Sequence, residues 1–140
     1  MKTSIVIISF NNFEETTQRC LHFLRRDPDF QNWEIIIVDN ASEEATCHAL
    51  AEETRGESNI SVIFNTSNLG FSAGNNIGIS KASGQNIVLL NSDAFSPPGM
   101  ISKLVSILDN EPAIGMLGPV TNFAAMSNTS SHQMSHANSR

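Results

Sequence analysis

Short runs of β-branched residues, recurring between amphipathic stretches, constrain this chain more than anything else in it. Ser4-Ile-Val-Ile-Ile-Ser9 is too short for a helix and typical of a strand covered on both faces, Trp33-Glu-Ile-Ile-Ile-Val38 repeats the signal, and Ile60-Ser-Val-Ile-Phe64 and Asn86-Ile-Val-Leu-Leu90 read as a third and a fourth strand. Between the first two, Phe13, Thr17, Cys20, Leu21 and Leu24 fall on one helical face, with Asn12 as N-cap, Glu15 three residues on, and a stop before Asp27-Pro28. Ser42, followed by Glu43 and Glu44, predicts the cap and acidic first turn of a second helix ended by Gly56. Phe71 to Ala82 predicts a third helix despite Gly74 and Gly78, and Met100, Leu104, Ile107 and Leu108 mark a fourth. Ile114 to Leu117, before Gly118-Pro119, predicts a fifth strand. The order βαβαβαβαβ implies an α/β fold: a mostly parallel sheet with right-handed crossovers and helices on both faces.

A chain of 140 residues is one domain or part of one. The predicted pattern fills residues 1–122, and 123–140, rich in Ser, Asn, Met and His without periodicity, is expected to be a polar, poorly ordered tail. Eight basic against fourteen acidic side chains give a net charge of −6, which argues against nucleic acid as a partner but permits a small phosphate ligand neutralised by backbone N–H groups or by a metal. Cys20 and Cys47 form no metal-ligand spacing and read as small core residues. No apolar run approaches the roughly 18 residues of a membrane span, so the expected location is the cytoplasm or, for the full-length protein, the inner face of the membrane.

Parallel sheets bind ligands outside the carboxyl ends of their strands. The segments there are polar: Phe10-Asn11-Asn12, Asp39-Asn40-Ala41-Ser42, Asn65-Thr-Ser-Asn68-Leu-Gly70 and Asn91-Ser92-Asp93. Each suits an ordinary cap or turn, and together they predict one rim with a cleft. Gly70, Gly74 and Gly78, four apart and followed by no phosphate-binding Lys, fit neither a dinucleotide fingerprint nor a P-loop.

In order and spacing, Ser4 to Asn12, Glu34 to Ser42, Asn68 to Ile79, Leu89 to Asp93 and Gly115 to Asn122 resemble the nucleotide-binding half of family 2 glycosyltransferases with the GT-A fold. The resemblance implies an incomplete GT-A domain of an inverting, hexosyl-transferring glycosyltransferase that uses a nucleotide-diphosphate sugar and a divalent cation, Mg2+ or Mn2+. It implies that the turn after the first strand, Phe10 and Asn11, holds the nucleotide base and ribose together with Asp39, while Asn68, Gly70 and Asn75 lie over the base. It identifies Asn91-Ser92-Asp93 with the DxD motif, Asn91 and Ser92 on the substrate and Asp93 on the metal. A hard, oxygen-liganded cation of this kind takes one or two protein carboxylates plus phosphates and water.

Two departures stand out. Asn91 replaces the first carboxylate of the motif, which lowers the charge of the metal site. The general base of such enzymes belongs to an acceptor-binding half, expected beyond Arg140, and His132 and His136 lie in a stretch with no pattern to position them. The fragment alone is therefore expected to be inactive, with the acceptor a glycan, lipid or protein. The alternative is a catalytically inactive nucleotide-binding module lacking the acceptor half. An uncovered sheet edge or apolar face could pair with a second copy as a homo-oligomer.

Overall fold

The computed structural model describes residues 3–119. Strands β1 (Thr3–Ser9), β2 (Trp33–Asp39), β3 (Ile60–Phe64) and β4 (Asn86–Asn91) alternate with helices α1 (Thr17–Leu24), α2 (Glu44–Glu53), α3 (Gly70–Lys81) and α4 (Met100–Asn110). All strand pairs are parallel, in the order β3-β2-β1-β4. The register sets Ser9 beside Asp39, Asp39 beside Phe64 and Ile8 beside Asn91, so the four carboxyl ends share one edge.

Because side chains alternate along a strand, the sheet sorts its residues by face. Ile5 and Ile7 of β1 with Ile35 and Ile37 of β2 join Cys20, Leu21 and Leu24 of α1, Leu50 of α2 and Ile101 of α4 in the main core. On the opposite face α3 packs against β1 and β2, bringing Gly74 to Ile8 and Gly78 to Val6. A Cβ on Gly78 would stand 2.3 Å from Val6 Cγ1, and one on Gly74 would stand 3.1 Å from the Ile8 Cδ1. The glycines at fourfold spacing thus serve close helix-to-sheet approach. Beyond α3 this face is open on β4, where Ile87 and Leu89 are 41% and 50% exposed.

Three local expectations are corrected. α1 begins at Thr17, not after an Asn12 cap, because Asn11 and Asn12 take left-handed φ values of 49° and 45° and the chain turns once more, with the Thr16 hydroxyl donating to the Asn12 carbonyl. α2 begins at Glu44 without a Ser42 cap, since the Ser42 hydroxyl is bound elsewhere and the Asn11 side-chain oxygen accepts the Glu43 N–H at 3.0 Å instead. Ile114 to Leu117 is not a fifth strand. The Ile114 N–H closes a turn onto the Glu111 carbonyl, Gly115 breaks the apolar run, and Met116 is 90% exposed. The expected tail at 123–140 lies outside the described residues.

Candidate functional site

The loops after the four strands are joined by side chains that take over where the sheet ladder stops. Asn40, 2% exposed, is the hub. Its Nδ2 donates to Asn68 Oδ1 at 2.9 Å and to the Gly70 carbonyl at 3.2 Å, while its Oδ1 accepts from Asn65 Nδ2 at 3.2 Å and the Leu69 N–H at 3.1 Å. Two donors and two acceptor sites exhaust what one amide offers, so the whole 65–70 loop is fastened to the end of β2. Gly70, at φ 76°, makes the left-handed turn into α3, and its N–H donates to Asn68 Oδ1.

Asp39 is fully buried beneath this rim. Its carboxylate accepts from the Ser42 N–H at 2.9 Å, the Ser42 hydroxyl at 2.5 Å and the Cys47 thiol at 3.6 Å. Burial, reinforced by the Asp39 charge and hydrogen bond, pushes the Cys47 thiol above its ordinary value. The Asn11 N–H donates to the Ser42 hydroxyl at 2.8 Å, which ties the loop after β1 to the loop after β2.

Between β1 and β4 the rim opens into a cleft of about 540 Å³, within the range of small-molecule sites. Asn40, Asn68 and Gly70 form one wall, and Asn91, Ser92 and Asp93 form the other. Ile8, Thr16, Phe10 and Phe71 complete it, the two rings being 47% and 60% exposed. Of the residues expected at the site, Phe10, Asn68, Gly70, Asn91, Ser92 and Asp93 therefore come together. Asn11 and Asp39 lie behind the lining as loop supports, and Asn75 is 5% exposed within α3, its Nδ2 donating to the Phe71 carbonyl. Asn40, Thr16 and Phe71 line the cleft without having been singled out by the sequence. Asn40 sits in the same segment as Asp39, and Phe71 follows a glycine turn, so position relative to the strand ends was the available signal.

Asp93 is exposed, and among the described residues its carboxylate has no hydrogen-bond or ion-pair partner. The Ala94 N–H donates to the Asn91 carbonyl at 3.0 Å, closing a turn with Ser92 and Asp93 at its corners. Beneath it, the Cys20 thiol is pushed up to about 12, by burial first and then by the Asp93 charge. Among the described residues no basic side chain lines the cleft. Among the described residues no three His, Cys, Asp or Glu side chains converge. A divalent cation here would meet one free carboxylate with Asn91 and Ser92 as neighbouring neutral oxygen donors, a set that suits a hard ion completed by ligand phosphates and water.

A family model described as Glycosyl transferase family 2 matches residues 4–139. A dolichol-phosphate mannosyltransferase of Pyrococcus furiosus is 32% identical over 112 residues, 79% of this chain and 31% of that protein. An uncharacterized glycosyltransferase of Haemophilus influenzae is 26% identical over 115 residues, 82% of this chain and 35% of that protein. The chain thus spans about a third of the length of these relatives. Among solved structures, S. aureus TarS 1-349 in complex with UDP-GlcNAc aligns with a TM-score of 0.68 and 22% identity, over 80% of this chain and 32% of that one. Mannosyltransferase PcManGT from Pyrobaculum calidifontis, in complex with GDP-Man and Mn2+, aligns with a TM-score of 0.68 and 19% identity, over 76% of this chain and 32% of that one. Both alignments share the parallel sheet and helices described above.

Proposed function

The chain belongs to glycosyl transferase family 2, and from that premise we propose that it is the donor-binding part of a glycosyltransferase, taking a nucleotide-diphosphate sugar into the cleft between β1 and β4 with Mg2+ or Mn2+ at Asp93. The observation that carries this reading is that the Asp93 carboxylate, without a partner among the described residues, lines one cleft with Asn40, Asn68 and Gly70 at the carboxyl edge of the sheet. Its support from outside the chain is the shared fold of TarS, seen with UDP-GlcNAc, and of PcManGT, seen with GDP-Man and Mn2+.

The residues divide the work by their chemistry. The exposed rings of Phe10 and Phe71 offer apolar faces to a base, and the Asn40 network holds the loop beside them in one conformation. The opposite wall presents the carboxylate. With a chain charge of −6 and no basic side chain among the described residues of the lining, diphosphate binding needs a cation to offset its charge. Bound there, the cation supplies Lewis-acid stabilisation of the charge on a departing nucleoside diphosphate.

Calorimetry of UDP and GDP binding, with Mn2+ and with EDTA, tests the reading. The expected result is clear binding with the metal and little without it, and an Asp93→Ala variant in which the difference disappears. Equal affinity in both conditions would overturn the role of Asp93.

A second reading, a nucleotide-binding module with no transfer of its own, is favoured by one observation: among the described residues Asp93 is the single carboxylate in the cleft lining. Acceptor activation by a positioned base is worth ~10²- to 10⁴-fold, and no described residue of this cleft is free to supply it alongside metal binding. Nucleoside diphosphate release from UDP- and GDP-sugars is expected to be negligible for residues 1–140, the base belonging to a segment beyond Arg140. Robust turnover by this chain, abolished by Asp93→Ala, would overturn that placement. The acceptor, whether glycan, lipid or protein, and pairing of two copies through the open face of β4 belong to the same proposal. No helix among the described residues is long and apolar enough to cross a membrane.

A further inference from the structure

One side of α1 holds the segment that carries Asp93 at three successive points. Where β4 ends, the Cys20 thiol donates to the Asn91 carbonyl at 3.8 Å. Phe95, two residues past Asp93, has its ring centroid 4.9 Å from that of Phe23 and lies 5.1 Å from the Arg19 guanidinium carbon. Farther on, the Gly99 N–H donates to Asp27 Oδ2 at 2.6 Å. Cys20 and Phe23 share a helical stripe that Asp27 continues just past the helix end.

Phe95 is unusual among these anchors. It is 46% exposed and stands outside the main core, so sheet packing does not account for it. Its ring contacts are with α1, on either side of the position where Cys20 meets Asn91. The turn it follows exposes a carboxylate with no partner of its own among the described residues. A lone carboxylate on a loose surface turn would sample many directions, and binding would have to select one. Fixing the turn during folding removes that cost from the binding step.

We propose that Phe95, held between Phe23 and Arg19, is a positioning residue that fixes the Asn91–Ala94 turn so that Asp93 meets the diphosphate and cation of a bound nucleotide. The inference rests on the function proposed above. Loosening the ring contact lowers the fraction of molecules with Asp93 in place, and apparent affinity for a ligand that needs Asp93 falls by the same factor. A ligand held only by the base side of the cleft is unaffected.

The test compares UDP and GDP with uridine and guanosine, all in Mn2+, across wild type, Phe95→Ala, Phe23→Ala and Phe95→Tyr. Both alanine variants are expected to weaken diphosphate binding on the order of 3- to 10-fold, the scale of an aromatic pair. Nucleoside binding stays unchanged, and the tyrosine variant behaves as wild type. Hydrogen exchange at the Ser92–Phe95 amides is expected to speed up in Phe95→Ala without ligand, a readout independent of any metal. Phe95 is half in solvent, so its removal leaves the core in place, and Phe23→Ala approaches the same contact from α1. Diphosphate affinity and amide exchange unchanged in Phe95→Ala, or equal losses for diphosphate and nucleoside, would overturn the positioning role while leaving the cleft assignment standing. Wild-type protein that binds no diphosphate in Mn2+ would overturn both.

Discussion

At the scale of single residues, Asp39 separates two kinds of importance. Its carboxylate accepts the Ser42 N–H and hydroxyl while fully buried, so it organises the loop that Asn11 and Ser42 share. Replacing it with Asn puts an amide group where donors point inward, and leaving a buried donor unmatched costs about 1–3 kcal/mol. Asp39→Asn is therefore expected to lower stability by that amount in urea denaturation. Nucleotide affinity, measured where the variant is fully folded, should change little. A large affinity loss at unchanged stability would place the carboxylate on the base instead. The residue names at this rim were legible because Asn, Asp and Ser directly follow β-branched runs. Their depth was not, since Asn40 and Asp39 are neighbours in sequence yet one lines the cleft and the other lies beneath it.

At the scale of elements, strands read more truly than helix starts. β3 runs from Ile60 to Phe64 as the apolar run does, although it is a partly exposed edge strand, because β-branched residues suit a pleated, half-buried surface. Helix starts depend on what else competes for the capping group: Ser42 looks like a cap but binds Asp39, and Asn12 looks like one but sits at left-handed φ. The link between α1 and the far side of α2 was invisible for the same reason. Arg25 donates to both carboxylates, Glu53 and Glu57, and to the Glu53 carbonyl at 2.9 Å. Burial tends to raise the Glu53 carboxyl, but hydrogen bonds from Gln18 and Arg25 outweigh it and hold the group below its ordinary value. A carboxylate depressed in the folded state stabilises the protein above its unfolded value of about 4.3 and loses that contribution as pH falls through the folded one. Thermal melts are thus expected to show stability falling below about pH 4.3 in wild type, and an Arg25→Met variant should show a shallower fall. Parallel curves would exclude the ion pairs as the source.

At the scale of the whole molecule, the parallel α/β plan was legible, with α1, α2 and α4 on one face and α3 on the other. That Ile114 to Leu117 forms no fifth strand was not, because an apolar tetrad containing Gly115 reads as a strand until its lack of a neighbouring ladder among the described residues is seen. The cleft was foreseeable as a place, since parallel strands end together. The fastening of its metal side to α1 depends on pairs such as Cys20 and Asn91, 71 positions apart. That separation also sets an order in time. β1, β2 and β3 are joined by consecutive crossovers, whereas β4 must return past all of them to dock beside β1. Contacts that span so much chain carry the larger loop-closure cost and form late. The cleft is therefore expected to form only after the folding barrier is crossed, so that a nucleotide acts as a brake on unfolding and not as a template for folding. In stopped-flow kinetics, added UDP and Mn2+ should slow the unfolding limb and leave the refolding limb where it was; a faster refolding limb would mean that the seam between β1 and β4 is part of the nucleus.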